Sequence, residues 1–364
     1  MAYRSEDPTH RTQGPFTVPT LRGGWLTRGA EGRFSAYLMR DGEVLRWTEG
    51  TDGRWSGPVS LGGGGLQPIL AVGQGADRYV HLVGLRPVEG EEDHVELMHS
   101  TQFQTGRPNV EWRSIQHSNG KSFKWTGNPS VTVDSEGRAY VFTKNGGGGL
   151  SVRAQKSGGG WHPWWDLKGG GTDPSPVAVT NGAGLVELYT ATAKGLVRYV
   201  QEEPGGKPVR QDVVPAAVTL GSLAAVTGPS GHATLFYLDK EGRVCVWSPD
   251  RSPETTPFVE AVGTGPLAAT RCRIDGFECT VLAQQSADGR LALAAYPAEQ
   301  ETAGAKWTET GAPQGTVATT LTQGLDGGLV AMTVAGGPTG PVLLTMRQQA
   351  DADGFQLGGW HTVA

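Results

Sequence analysis

The chain has 364 residues, of which 56 are glycine and 23 proline, and each costs a helix interior roughly 1 and 3 kcal/mol, which excludes helical bundles, coiled coils and helical repeats. With 37% hydrophobic residues, eleven tryptophans and only 18% charged residues, there is enough apolar surface to offset chain entropy, which excludes a disordered chain. The 31 Lys+Arg and 36 Asp+Glu give a net charge of -5 with no basic run, so there is no nucleic-acid footprint, and no apolar stretch of about 18 residues marks a membrane helix.

Taken in order, the predicted elements repeat. A short β-rich run follows a turn at 36–39, 79–82, 139–142, 186–189, 234–237, 279–282 and 329–332, at spacings of 42, 61, 47, 48, 45 and 50 residues. Each run is followed by a turn and a second strand, such as Glu43-Val44-Leu45-Arg46-Trp47 or Arg243-Val244-Cys245-Val246-Trp247. Before it lies a strand of small apolar residues, such as Pro176-Val177-Ala178-Val179, and after it a polar stretch that often carries a tryptophan: Trp55, Trp112, Trp161 with Trp164, Trp307 and Trp360. Asp-Gly and Glu-Gly pairs, among them 41–42, 136–137 and 241–242, fall at the hairpin turns, where glycine supplies positive φ. A fixed period of about 49 residues holding four antiparallel strands is the blade of a β-propeller. The expected fold is all-β, a single seven-bladed propeller over 19–364. Its blades are placed at about 19–63, 64–124, 125–171, 172–217, 218–263, 264–315 and 316–364, and residues 1–18 form an extension expected against the last blade.

One motif recurs, a tryptophan-bearing strand ending in leucine and glycines, then a proline and the small inner strand. It stands as Trp55-Ser56-Gly57-Pro58-Val59-Ser60-Leu61-Gly62-Gly63 before Pro68-Ile69-Leu70-Ala71-Val72, and again as Trp164-Trp165-Asp166-Leu167-Lys168-Gly169-Gly170 before Pro176. With these motifs the chain resembles the seven-bladed PLL-type bacterial lectins, most sharply in blades 1–3. That resemblance implies binding of fucose-like or O-methylated saccharides in pockets between blades. Blades 4–6 depart from it in lacking the outer tryptophan, except at Trp307.

Strand parity puts the loops after the second and fourth strands on one face, and blade 2 lengthens both. They are 84–93 and 114–126, the latter with His117, Asn119 and Lys121. Trp55, Trp112, Trp161, Trp164 and Trp165, with His162, are candidate sugar platforms, because a flat apolar ring stacks on pyranose C–H surfaces. The same rings would otherwise fill the outward-widening wedge between blades. His81, His94 and His99 with Glu96 are weak candidates for a metal or catalytic cluster, and Asp134, Asp173 and Glu187 for acid–base work, though such residues also serve packing and turns. No nucleophile elbow or phosphate loop is present, and no cofactor is called for. Cys272 and Cys279 would face each other across an Asp275-Gly276 turn, as free thiols or as a bridge.

The leading functional reading is a saccharide-binding, lectin-like propeller with aromatic rim pockets. The alternatives are an enzyme, a glycan lyase or hydrolase or a small-molecule cyclase, at the mouth formed by the long blade-2 loops, and a protein-interaction scaffold. The expected partner is a saccharide or small molecule, with no nucleic acid or membrane. The polar start, Met1 to Gly14, reads as cytoplasmic, with a secreted mature form left open.

Overall fold

The computed structural model describes residues 20–91, 94–118, 126–337, 340–349 and 353–363. The expected 1–18 extension, Asn119 and Lys121 lie outside them. Seven sheets, each with four antiparallel strands in chain order, stand in a ring with neighbouring inner strands side by side, a seven-bladed β-propeller. Blade 1 comprises Leu26–Arg28, Phe34–Arg40, Glu43–Glu49 and Trp55–Ser60, and blade 2 comprises Ile69–Gln74, Val80–Pro87, Val95–Gln102 and Arg113–Ser114. Blade 3 has Ser130–Val133, Ala139–Lys144, Leu150–Ala154 and Trp165–Asp166. Blades 4 to 7 run from Val177–Thr180 to Val209–Val214, Ala224–Thr227 to Thr256–Glu260, Ala268–Ile274 to Trp307–Glu309, and Thr316–Gln323 to His361–Thr362. The one helical turn among the described residues is the 3-10 turn Glu301–Ala303, and no helix there is long and apolar enough to cross a membrane.

The sequence pattern accounts for this layering. The second strand of blade 5, Ala233–Leu238, is buried along its whole length, so its side chains fill the contacts with both neighbouring blades. The outermost strand of blade 1 is exposed after Trp55. The apolar clusters accordingly lie between sheets: Val83, Leu97 and Val141 join blades 2 and 3, and Leu188, Tyr199 and Phe142 join blades 3 and 4. Burying each such side chain contributes roughly 2 kcal/mol. Each four-stranded blade is one continuous stretch of chain, so no blade strand is exchanged to close the ring. Instead, Met332, Val334, Leu343 and Val363 of blade 7 and its C-terminal end pack with Trp25, Phe34 and Tyr37 of blade 1. Arg347 pairs with Glu49 across the same seam, and its guanidinium lies 5.0 Å from the Phe34 ring centroid.

One further strand, Thr20–Gly23, runs parallel to the inner strand of blade 2 in the register Thr20↔Ile69 to Gly23↔Val72. It also approaches the inner strands of blades 3 and 7, which places it inside the central channel. At the Asp275-Gly276 turn, with φ of 49° and 79°, Cys272 faces Cys279 as expected. All three cysteines are buried free thiols.

Candidate functional site

The ring has two faces. The lower carries the loops after the second and fourth strands of each blade, and the upper carries the loops after the first and third. In blades 1 to 5 and 7 the hairpin after the first strand has one design, in which the first residue's N–H bonds the carbonyl four residues on and the fourth residue's N–H bonds back to the first, whereas blade 6 turns tightly at Asp275-Gly276. In blade 1 these are Gly29 to Arg33 at 2.8 Å and Gly32 to Gly29 at 3.1 Å, and in blade 3 Asp134 to Arg138 at 3.0 Å and Gly137 to Asp134 at 3.1 Å. The fourth position needs positive φ and is glycine in five blades: Gly32, Gly137, Gly184, Gly231 and Gly327. In blade 2 it is Arg78, at φ 67°.

A cavity of about 340 Å³ opens on the upper face between blades 1 and 2. Its walls are the Gly29–Arg33 turn, Asp77 and Arg78, and the loop holding Phe103, Gln104, Thr105 and Arg107. Gly29 permits this approach, since a Cβ there would stand 2.0 Å from Thr105 Oγ1. The blade-2 loop is pinned by Gln102 Nε2, which donates to the Arg107 carbonyl at 2.6 Å, and by Arg46 Nη2, which donates to the Gly106 carbonyl at 3.1 Å. Phe103 is 49% exposed and meets Tyr79 edge-on, with ring centroids 4.8 Å apart. Glu31 pairs with Arg33 at 2.9 Å. Partial burial alone would raise the Glu31 pKa, but bonds from its own backbone N–H, the Thr105 hydroxyl and Arg33 hold it below the usual carboxylate range. One aromatic wall beside charged and neutral hydrogen-bonding groups suits a small polyhydroxylated ligand.

The residues singled out from the sequence fall elsewhere. Trp112 and Trp164 donate their indole N–H to the backbone of the preceding blade, at Leu61 O (2.9 Å) and Ile115 O (3.3 Å). Trp307 and Trp360 do the same, to Glu260 O (2.7 Å) and Thr310 O (3.0 Å). Trp161 and Trp164 pack on the cluster between blades 2 and 3, while Trp165 packs on the one between blades 3 and 4, beside His162 at 5.1 Å. Trp55 packs against the cluster that closes the ring. All five of the candidate indoles are half-buried.

His81 Nδ1 and His99 Nε2 meet at 3.0 Å, with Trp161 edge-on to His99 at 5.0 Å. His94 sits at the far end of the same hairpin with Glu91, and Glu96 is held by Arg86 at 2.7 Å. Among the described residues, no group of three or more His, Cys, Asp or Glu is arranged to hold a metal ion. Asp134 accepts from the backbone of Glu136 and Arg138 and pairs with Arg138 Nε at 2.9 Å. Asp173 accepts from the Ser175 and Gly221 N–H groups at 2.8 and 2.7 Å. Glu187 is enclosed by Asn181, Tyr189 and Arg198. His117 Nε2 lies 2.7 Å from Thr126 Oγ1. Much of the long 84–93 segment is strand, since blade 2 keeps its ladder out to Pro87↔Val95. Phe103 and Arg107 carried no signal in sequence beyond being an aromatic and a base in an unrepeated loop.

No protein-family model matches the sequence, and no curated protein does. Among solved structures, the chain is similar in fold to AofleA from Arthrobotrys oligospora, at 11% identity and a TM-score of 0.54 over 95% of each chain. It is also similar to the K499G mutant of NanB sialidase from Streptococcus pneumoniae, at 10% identity and 0.51, covering 86% of this chain and 82% of that one. The resemblance to propeller lectins expected from sequence is met, as a likeness of fold, by the BP39L lectin from Burkholderia pseudomallei, at 16% identity and a TM-score of 0.69 over 96% of this chain and 99% of that one.

Proposed function

We propose that this protein is a saccharide-binding propeller whose ligand enters the upper-face cavity between blades 1 and 2. The observation that carries this reading is the composition of that cavity: the Phe103 ring forms one wall, and Glu31, Arg33, Asp77 and Arg107 surround a space of about 340 Å³. A sugar ring presents an apolar C–H face and a rim of hydroxyls, and such a wall stacks on the first while the charged groups bond the second. Trp112 and Trp164, half-buried at blade junctions, supply further aromatic rims in the same reading, because each is held by its N–H while part of its ring stays accessible. The likeness of fold to the BP39L lectin supports it.

The test is a glycan array followed by calorimetric titration of the best-bound sugar into the wild type and Phe103→Ala. The expected result is binding of a discrete sugar set, weakened roughly tenfold in the variant through loss of the stacking contact. Absence of binding to any glycan would sink the reading, and an affinity unchanged in Phe103→Ala would remove this cavity from it.

A further inference from the structure

We infer that the upper mouth of the central channel is a binding site for a small oxyanion, held by the guanidinium groups of Arg28, Arg78 and Arg271. A second cavity, of about 300 Å³, opens there, and Gln74, Thr270 and Gln323 line it with these arginines. The three cations come from the inner edges of blades 1, 2 and 6, far apart in sequence and brought together only by the ring. Among the described residues none of the three makes an ion pair. Among the described residues, Asp326 is the carboxylate whose field reaches Arg28, and one of its oxygens accepts the Gly328 N–H at 3.0 Å. A chain with a net charge of -5 thus gathers three positive groups around one opening.

Two features show that the cluster is built. Gln74 ties two of the arginine backbones together: its Nε2 donates to the Arg28 carbonyl at 3.0 Å and the Arg78 carbonyl at 3.1 Å, and its Oε1 accepts the Arg28 N–H at 3.3 Å. Arg78 occupies the left-handed turn position that five other blades give to glycine, at φ 67°. A side chain there is held against a backbone cost, and such outliers collect where the side chain has work to do. The Arg28 pKa is lowered, first by burial and then by the Arg78 charge, and the opposing field of Asp326 is smaller than either, so the two cations are crowded together more than they are neutralised. Planar guanidinium forks converging on one space are the arrangement that binds carboxylate, sulfate or phosphate by paired N–H bonds. Arg78 lines both this mouth and the blade 1–2 cavity. The oxyanion is therefore either a free inorganic ion or the acidic group of a sugar reaching across from that cavity. The site itself stands without the saccharide reading.

The experiment is calorimetric titration of the full chain, at constant ionic strength, with sodium phosphate, glucuronate and neutral glucose, using the wild type, Arg78→Gly and Arg271→Gln. Arg78→Gly places in the turn the residue that the equivalent turns carry, so folding is retained; thermal melts verify this for both variants. The expected result is saturable binding of phosphate or glucuronate that weakens roughly tenfold or more in each variant. Phosphate binding without glucuronate binding assigns a free ion, and tighter binding of glucuronate assigns an acidic sugar. No saturable binding of either anion, or equal binding in the wild type and both variants, overturns the site. Failure of glucose to bind bears on the saccharide reading and leaves this one intact.

Discussion

His81 and His99 are 3% and 7% exposed and share one hydrogen bond, so one ring nitrogen must donate and the other accept. Burial pushes the His81 pKa down to about 4, and burial together with the neighbouring His81 pushes His99 down to about 3. A base whose folded pKa lies below its unfolded value of 6.5 leaves the unfolded chain with more bound protons at mildly acid pH. The stability from keeping the pair neutral is therefore complete above about pH 6.5 and is lost as pH falls toward 4, by on the order of 3 kcal/mol for one histidine. Urea midpoints of the wild type should drop across that window, and His99→Leu should flatten the slope; a wild-type midpoint constant from pH 7 to 4.5 would contradict this. The sequence put both histidines on adjacent strands of blade 2, where they could approach, but that they pair with each other and leave His94 at the far end of the hairpin was not legible. The pairing depends on the register that sets His81 opposite Thr101 and so places His99 on the diagonal.

The tryptophans act one level up, between blades. Trp112, Trp164, Trp307 and Trp360 bond carbonyls 51, 49, 47 and 50 residues upstream, about one repeat length, so each indole ties its own outer strand to the blade before it. The glycine pair after Leu61 belongs to this device, because a Cβ on Gly63 would lie 3.3 Å from the Trp112 ring. Trp112→Phe keeps most of the ring and loses the bond, at a cost of about 1 kcal/mol, while Trp112→Ala should cost about 3. Chemical denaturation checks the order: equal losses would mean that the ring packing contributes nothing beyond the bond, and an unchanged Trp112→Phe that the hydrogen bond contributes nothing. The periodicity of these residues was legible in sequence. The direction of each indole was not, because its partner is a backbone carbonyl that no residue type announces.

Across the whole molecule, the repeat made the seven sheets readable from sequence, since each is built from local hairpins. Two things were not local. The strand Thr20–Gly23 pairs in parallel with residues about 50 positions away, and both cavities are walled by unrepeated side chains from separate blades. Closure is the other long-range property. Among the described residues, the seam between blades 7 and 1 has no shared strand and rests on side chains such as Met332. Met332→Ala should cost about 3 kcal/mol. Hydrogen exchange should then accelerate in blades 1 and 7 well before the rest, whereas Leu188→Ala, inside the ring, should not single out those two blades. Uniform acceleration in both variants would show that the ring opens as one unit.

The described chain also gives the ring a handed front and back. Thr20 lies level with Ile69 at the lower end of its strand, and Val363 bonds the Leu343 carbonyl while heading toward that same lower face. Both cavities open on the other side. A bead, dye or fusion partner joined near either of these positions is carried on the underside, so immobilised protein presents both openings to the solution and a bulky attachment does not shade them.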